Sequence, residues 1–344
     1  MRNTLYVALC CAICFIQCGK TKLEPLPEYK STNGTKLDSN YLHFAGLSFD
    51  KDYTYLLDDR YDYHLFFRIR ESDGMMEAVP QFNTLASFAV SDQYIYTARR
   101  NQYPLAFYTF CRVNKADYKD SVIINTRMVY SYLTCVDGII YGIDQVGSLN
   151  TIDPATGNGT ELISGAQAQT SQVSFYAYLN ASKFYNGWWL FTNKDDEYLL
   201  KVKTDGSKEK DTIQSVKMPV FAIYSNRIYF AQANPDLLTT NTAVSYRYCL
   251  ASVSFDGGPV TIEDTTHFRY CNTVSNYGNL LMIGDGRFIK TFDPITREVK
   301  VIGAMPVLAS DAGTTLAAYP VSNPITGSIY YSAYYERFPV YKIK

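Results

Sequence analysis

Histidine, carboxylate and cysteine are the residue types in this chain whose spacing could do chemistry. The three histidines, His43, His64 and His267, fall far apart with no HExxH or HxxH pattern, so no zinc-hydrolase centre is written in them. Asp58, Asp59 and Asp62 crowd one short stretch, and Asp195, Asp196 and Glu197 another. Paired carboxylates can move a proton or hold calcium, yet the EF-hand spacing is absent, and solvated loop charge accounts for both stretches. A GxSxG elbow, a Walker loop and a GxGxxG element are all missing. The sequence assigns no catalytic residue, no metal ligand and no cofactor.

Cys10, Cys14 and Cys18 are evenly spaced like a ligand set, but the first two are discarded with the leader. Arg2 supplies a positive charge, and residues 5–16 form an apolar run of signal-peptide length, too short to cross a bilayer as a helix. The run stops at FIQCGK (15–20), which resembles a bacterial lipoprotein cleavage site with Cys18 as the lipidated first residue; Gln17 replaces the usual small residue. The reading is a signal peptide over 1–17, a lipidated start and polar tether over 18–40, and a folded body over 41–344. It implies export to the bacterial cell envelope as an outer-membrane lipoprotein, touching the membrane through the lipid alone. An ordinary cleaved signal peptide is the alternative.

Four cysteines remain beyond the anchor: Cys111, Cys135, Cys249 and Cys271. An exported chain permits disulfides, and Cys111–Cys135 and Cys249–Cys271 are the pairings nearest in sequence. Four small buried hydrophobes would give the same pattern. The chain has 344 residues, 47% of them apolar, and a formal net charge of −1. Such a composition excludes global disorder, and without a basic block it argues against nucleic acid as a partner. Tyrosine is abundant, at 31 residues, and suits both half-buried strands and binding surfaces.

The body repeats one unit seven times. Its second strand carries an apolar or aromatic doublet: YTYLLD (53–58), QYIYTA (93–98), GIIYGID (138–144), GWWLFTN (187–193), NRIYFA (226–231), NLLMIGD (279–285) and GSIYYSA (327–333). A third strand follows each, from LFFRIR (65–70) to VYKIK (340–344). Turns with DG, DP or GN pairs then lead to a fourth. Four strands recurring every ~40–50 residues are the pattern of a β-propeller blade. The expected fold is all-β, a propeller of four-stranded antiparallel blades, seven in number, with six or eight as alternatives. The last unit ends after its third strand, so part of Leu23–Lys36 is expected to add its outer strand and close the ring.

The doublet followed by a strand ending in DG or DP resembles the YWTD propellers of low-density-lipoprotein-receptor type and their bacterial relatives. WLFTN (189–193), IYGID (140–144) and IYYSA (329–333) are the nearest runs, and no unit contains YWTD itself. The resemblance covers about residues 41–344 and implies six blades.

Second-to-third loops and the links between blades vary in length and emerge on one face, where repeat proteins usually bind. They carry Tyr61, Tyr63, Arg99, Arg100, Tyr103, Tyr335 and Arg337, of the types most often found as interface anchors. The expected function is that of a non-enzymatic binding or scaffold module with a monomeric body, taking a protein, peptide or glycan on this loop face. The alternative is a propeller enzyme, a lyase or hydrolase acting on an envelope or extracellular polymer at the central funnel.

Overall fold

The repeating unit folds as read. The structure is a computed structural model, and it describes residues 35–36, 44–58, 65–79, 84–100, 108–118, 121–125, 130–144, 146–168, 182–192, 198–213, 216, 220–233, 248–305, 318–333 and 341–343. Among these residues the chain forms seven four-stranded antiparallel sheets, a seven-bladed β-propeller where YWTD-type propellers have six blades. Blade 1 consists of Phe44–Phe49, Tyr53–Asp58, Leu65–Arg70 and Met76–Ala78, paired in chain order. Blades 2 to 6 repeat that order over 84–125, 130–163, 182–213, 221–264 and 273–304. Blade 7 uses Ala318–Ser322, Ile329–Ala333 and Tyr341–Ile343, and its outer strand is Thr35–Lys36 from the segment ahead of blade 1. Thr35 pairs with Lys342 and Lys36 with Tyr341. The one described helix is a single turn, Gly165–Ala168, after blade 3.

Each sheet lies between two neighbours, so its middle strands are buried on both faces. That is why the second strands are near-continuous apolar runs rather than alternating ones. Ile140 to Ile143 in the second strand of blade 3 and Phe288 to Phe292 in the third strand of blade 6 are buried throughout. The core is accordingly divided into seven clusters, one at each junction between neighbouring blades. At the blade 3–4 junction Trp189 is fully buried among Tyr141, Phe184 and Phe191. Among the described residues the smallest cluster is at the closing junction, where Leu56 and Ile69 of blade 1 meet Tyr330 of blade 7. First strands of neighbouring blades pack together, which places them around the central axis.

Two features set the turn end of the ring. Third-to-fourth turns take a left-handed residue that lets the hairpin close on itself. Asp153, Asp293 and Asn323 each begin the same turn: the backbone N–H of Gly157, Arg297 or Gly327 returns to its carbonyl at 2.8–2.9 Å. Those three residues have φ of 69°, 61° and 74°. The side-chain oxygen of the first residue accepts the N–H two positions on, from Ala155, Ile295 and Ile325. The Asn323 turn joins the first and second strands of blade 7, so one turn chemistry serves both hairpin types. Gly142 meets a different requirement: a Cβ there would lie 2.6 Å from Ile152 Cδ1 and 2.9 Å from Tyr130 Cδ1. The Tyr130 ring crosses the sheet over this glycine, and its hydroxyl donates to Gly157 O at 3.2 Å.

Candidate functional site

Up-and-down strand order sends second-to-third loops and blade links to one end of the ring and the tight turns to the other. At the loop end, Tyr61, Tyr63, Tyr103, Tyr335 and Arg337 lie outside the described residues. So do Cys18, His43, His64, Asp59, Asp62 and the 195–197 stretch. Arg99 and Arg100 were read as loop residues, and the structure corrects this. The second strand of blade 2 runs Tyr94–Arg100, with Arg99 opposite Thr109 and Arg100 opposite Tyr108.

The expected pairings Cys111–Cys135 and Cys249–Cys271 are not formed: no disulfide joins these four residues in the structure. Cys111, Cys249 and Cys271 are buried side chains, and Cys271 belongs to the apolar cluster between blades 5 and 6. Burial pushes the Cys271 thiol well above its ordinary pKa, the behaviour of a packed hydrophobe rather than a nucleophile.

The best-defined segment at the loop end is the link from blade 5 to blade 6, residues 265–272. Asp264 Oδ1 accepts the N–H groups of Thr266 and His267 at 2.9 and 2.7 Å. Its Oδ2 lies 2.6 Å from His267 Nδ1. Asp285, at the end of the second strand of blade 6, accepts three successive backbone N–H groups through Oδ1: Arg269 at 2.8 Å, Tyr270 at 2.7 Å and Cys271 at 3.2 Å. Lys290 pairs with Asp285 Oδ2 at 2.5 Å and also donates to His267 O. Phe268 is fully buried beneath the link. The link is thereby pinned along its length, with Arg269 and Tyr270 left partly exposed.

The His267–Asp264 contact is the one described carboxylate–histidine pair in which proton transfer could be sought. It is a local turn at the end of the outer strand of blade 5, Thr261–Asp264, not a lining of the inner strands. Three buried lysines and two buried carboxylates, Lys201, Lys290, Lys342, Glu71 and Asp285, have structural partners instead. Lys201, in the third strand of blade 4, donates to Phe255 O at 2.8 Å and pairs with Asp211 at 2.8 Å. Glu71, just after the third strand of blade 1, accepts from Thr54 (2.6 Å), Tyr330 (2.7 Å), Asn323 (2.9 Å), Lys342 (3.0 Å) and Thr326 (3.1 Å). Burial works against the Glu71 anion, but these hydrogen bonds outweigh it and hold its pKa at about 2. A carboxylate so fully engaged is no general base.

Sequence reading missed these lysines and Glu71. For the lysines the signal was present as a charge at the middle of an apolar third strand: Lys201 in LLKVK, Lys290 in FIKTF and Lys342 in VYKIK.

No protein-family model matches the chain, and no curated protein sequence does. Solved structures match in fold. YCF48 bound to D1 peptide aligns at TM-score 0.58 and 8% identity, over 93% of this chain and 99% of that one. YCF48 from Cyanidioschyzon merolae aligns at 0.59 and 8%, over 90% and 98%. Oligogalacturonate lyase in complex with manganese aligns at 0.56 and 10%, over 94% and 97%. At these identities the likeness is one of propeller architecture.

Proposed function

We propose that this chain is an envelope-anchored, non-enzymatic binding or scaffold propeller that takes a protein, peptide or glycan on its loop end. The observation that carries the reading is the engagement of five buried ionisable groups. Glu71, Lys201, Asp285, Lys290 and Lys342 each hold neighbouring strands, links or blades together. Recognition then falls to the loops, links and strand ends of this side, with the pinned Arg269–Tyr270 segment added to Tyr61, Tyr63, Arg99, Arg100, Tyr103, Tyr335 and Arg337. One fold neighbour holds a peptide, and a ligand of that class is included here. Lipidation at Cys18, placement at the outer membrane and a monomeric body complete the proposal. Kinship with YWTD-type propellers belongs to it too, on WLFTN, IYGID and IYYSA alone.

The test is capture from envelope extract. Arg100→Ala with Tyr103→Ala should reduce the captured partner severalfold at an unchanged melting temperature; undiminished capture would remove the loop end as the binding surface. Cys18→Ala should move the protein from the detergent phase to the soluble fraction, and an unchanged partition would end the anchoring proposal.

The second reading, a lyase or hydrolase acting on a polymer at the central funnel, is favoured by the 2.6 Å Asp264–His267 contact. Its position at an outer strand weighs against it. Depolymerising activity abolished by His267→Gln would establish it.

A further inference from the structure

One junction of the ring is built like another and then left open. At the blade 4–5 junction, Lys201 in a third strand donates to the carbonyl of Phe255, the residue that follows the third strand of the next blade. Lys342 does the same to Glu71, which follows the third strand of blade 1, at 2.9 Å. Phe255 and Glu71 therefore occupy the same place in blades 5 and 1. Phe255 fills its junction: it is 4% exposed, its ring is 5.1 Å from that of Tyr185, and the Lys201 ammonium lies 4.5 Å above it. Beside Glu71 the junction opens into a cavity of about 740 Å³.

Stability alone does not account for the polar choice. A buried ion pair is often matched or improved upon by apolar side chains of similar volume. Here the chain instead surrounds the Glu71 carboxylate with five donors and leaves room next to it.

We propose that the seam between blades 7 and 1 is a second binding site, at the turn end of the ring, for a small polyhydroxylated ligand of the saccharide class. The cavity has the size of a small-molecule site. Lys51, Asp52, Tyr53, Arg70, Ser72 and Ser328 are in its wall. Lys51 and Ser72 present donors, Asp52 an acceptor, and Tyr53 part of an aromatic ring. Two of the wall charges are already compensated, Glu71 by Lys342 and Arg70 by Asp73 and Glu77. A strongly charged ligand thus finds no large field here, and an apolar one leaves the polar wall unpaired. Sugar hydroxyls, which donate and accept, match both kinds of group. The site is at the opposite end from the loops and does not depend on their role.

Calorimetric and saturation-transfer NMR titrations of the purified chain with glucose, galactose, N-acetylglucosamine, maltose and lactose test this. At least one sugar should bind saturably. Lys51→Ala with Asp52→Ala should weaken it by about tenfold or more, at an unchanged melting temperature. Ser72→Trp, which places a large exposed side chain at the cavity, should block it independently. Failure of every sugar to bind, or binding that survives both variants, overturns the proposal. Either result leaves the loop-end reading standing, because that is read by capture from extract.

Discussion

Lys342 holds Glu71 twice, through the backbone carbonyl at 2.9 Å and the carboxylate at 3.0 Å, so one side chain of the last blade fixes both strand and side chain of the first. Their side chains are 2% and 7% exposed. Removing one partner of such a buried pair leaves a charge without compensation, which costs far more than the pair itself contributes. Lys342→Met should destabilise the propeller by about 3 kcal/mol in urea unfolding. Adding Glu71→Gln should recover part of that loss; a single variant within about 0.5 kcal/mol of wild type would show the seam is not held here.

Acid should weaken the same seam. The Glu71 pKa is lowered from 4.5 to about 2 in the fold. A depressed carboxylate contributes stability that is present in full above its unfolded pKa and is lost as pH falls through the folded one. Wild-type melting temperature should therefore fall more steeply between pH 4.5 and about 2 than that of Glu71→Gln. Parallel slopes would refute the assignment.

Gly142 should tolerate no side chain. A methyl group there meets Ile152 and Tyr130 at 2.6 and 2.9 Å, both within the blade 2–3 core cluster. Gly142→Ala is expected to cost ~1–3 kcal/mol by overpacking, measured by denaturant unfolding.

Lys208 offers the opposite sign. It is exposed at φ 63°, and its ion pair with Glu161 at 3.5 Å is a surface one. A left-handed non-glycine residue carries about 1 kcal/mol of strain, and a surface pair contributes less. Lys208→Gly should raise stability by up to about 1 kcal/mol, and a loss of that size would contradict the turn geometry.

The thiols give a chemical check. Under native conditions Cys111, Cys249 and Cys271 should resist alkylation because they are buried; in denaturant without reductant all four body cysteines should be labelled. A disulfide-linked peptide in the digest would restore the pairing that the fold argues against.

The blades were legible because doublet, turn and strand order reset together; WWLFT and IYYSA need only a count of apolar neighbours to be placed. Arg99 and Arg100 were misread because charge suggests solvent, whereas strand pairing is backbone chemistry and continues wherever hydrogen bonds can be made. Glu71 and Lys342 are 271 residues apart, and no local pattern joins them. They meet only because the ring closes. Lys201 and Lys290 could have been singled out as charges inside apolar strands, but their acceptors, carbonyls of Phe255 and His267, depend on which blade stands next to which.

The outer strand of blade 7 has a mechanical meaning. Among the described residues Thr35 and Lys36 join the ring by two residue pairs, while the other ladders of the blades run longer. A pull on the chain ahead of Thr35 is borne first by that short zipper, and only after it parts does load reach Tyr341–Ile343 and the Lys342 clasp beneath. The propeller thus has a weak outer fastening over a strong inner one, and force applied at its N-terminal side would be read out as two successive ruptures, the first far smaller than the second.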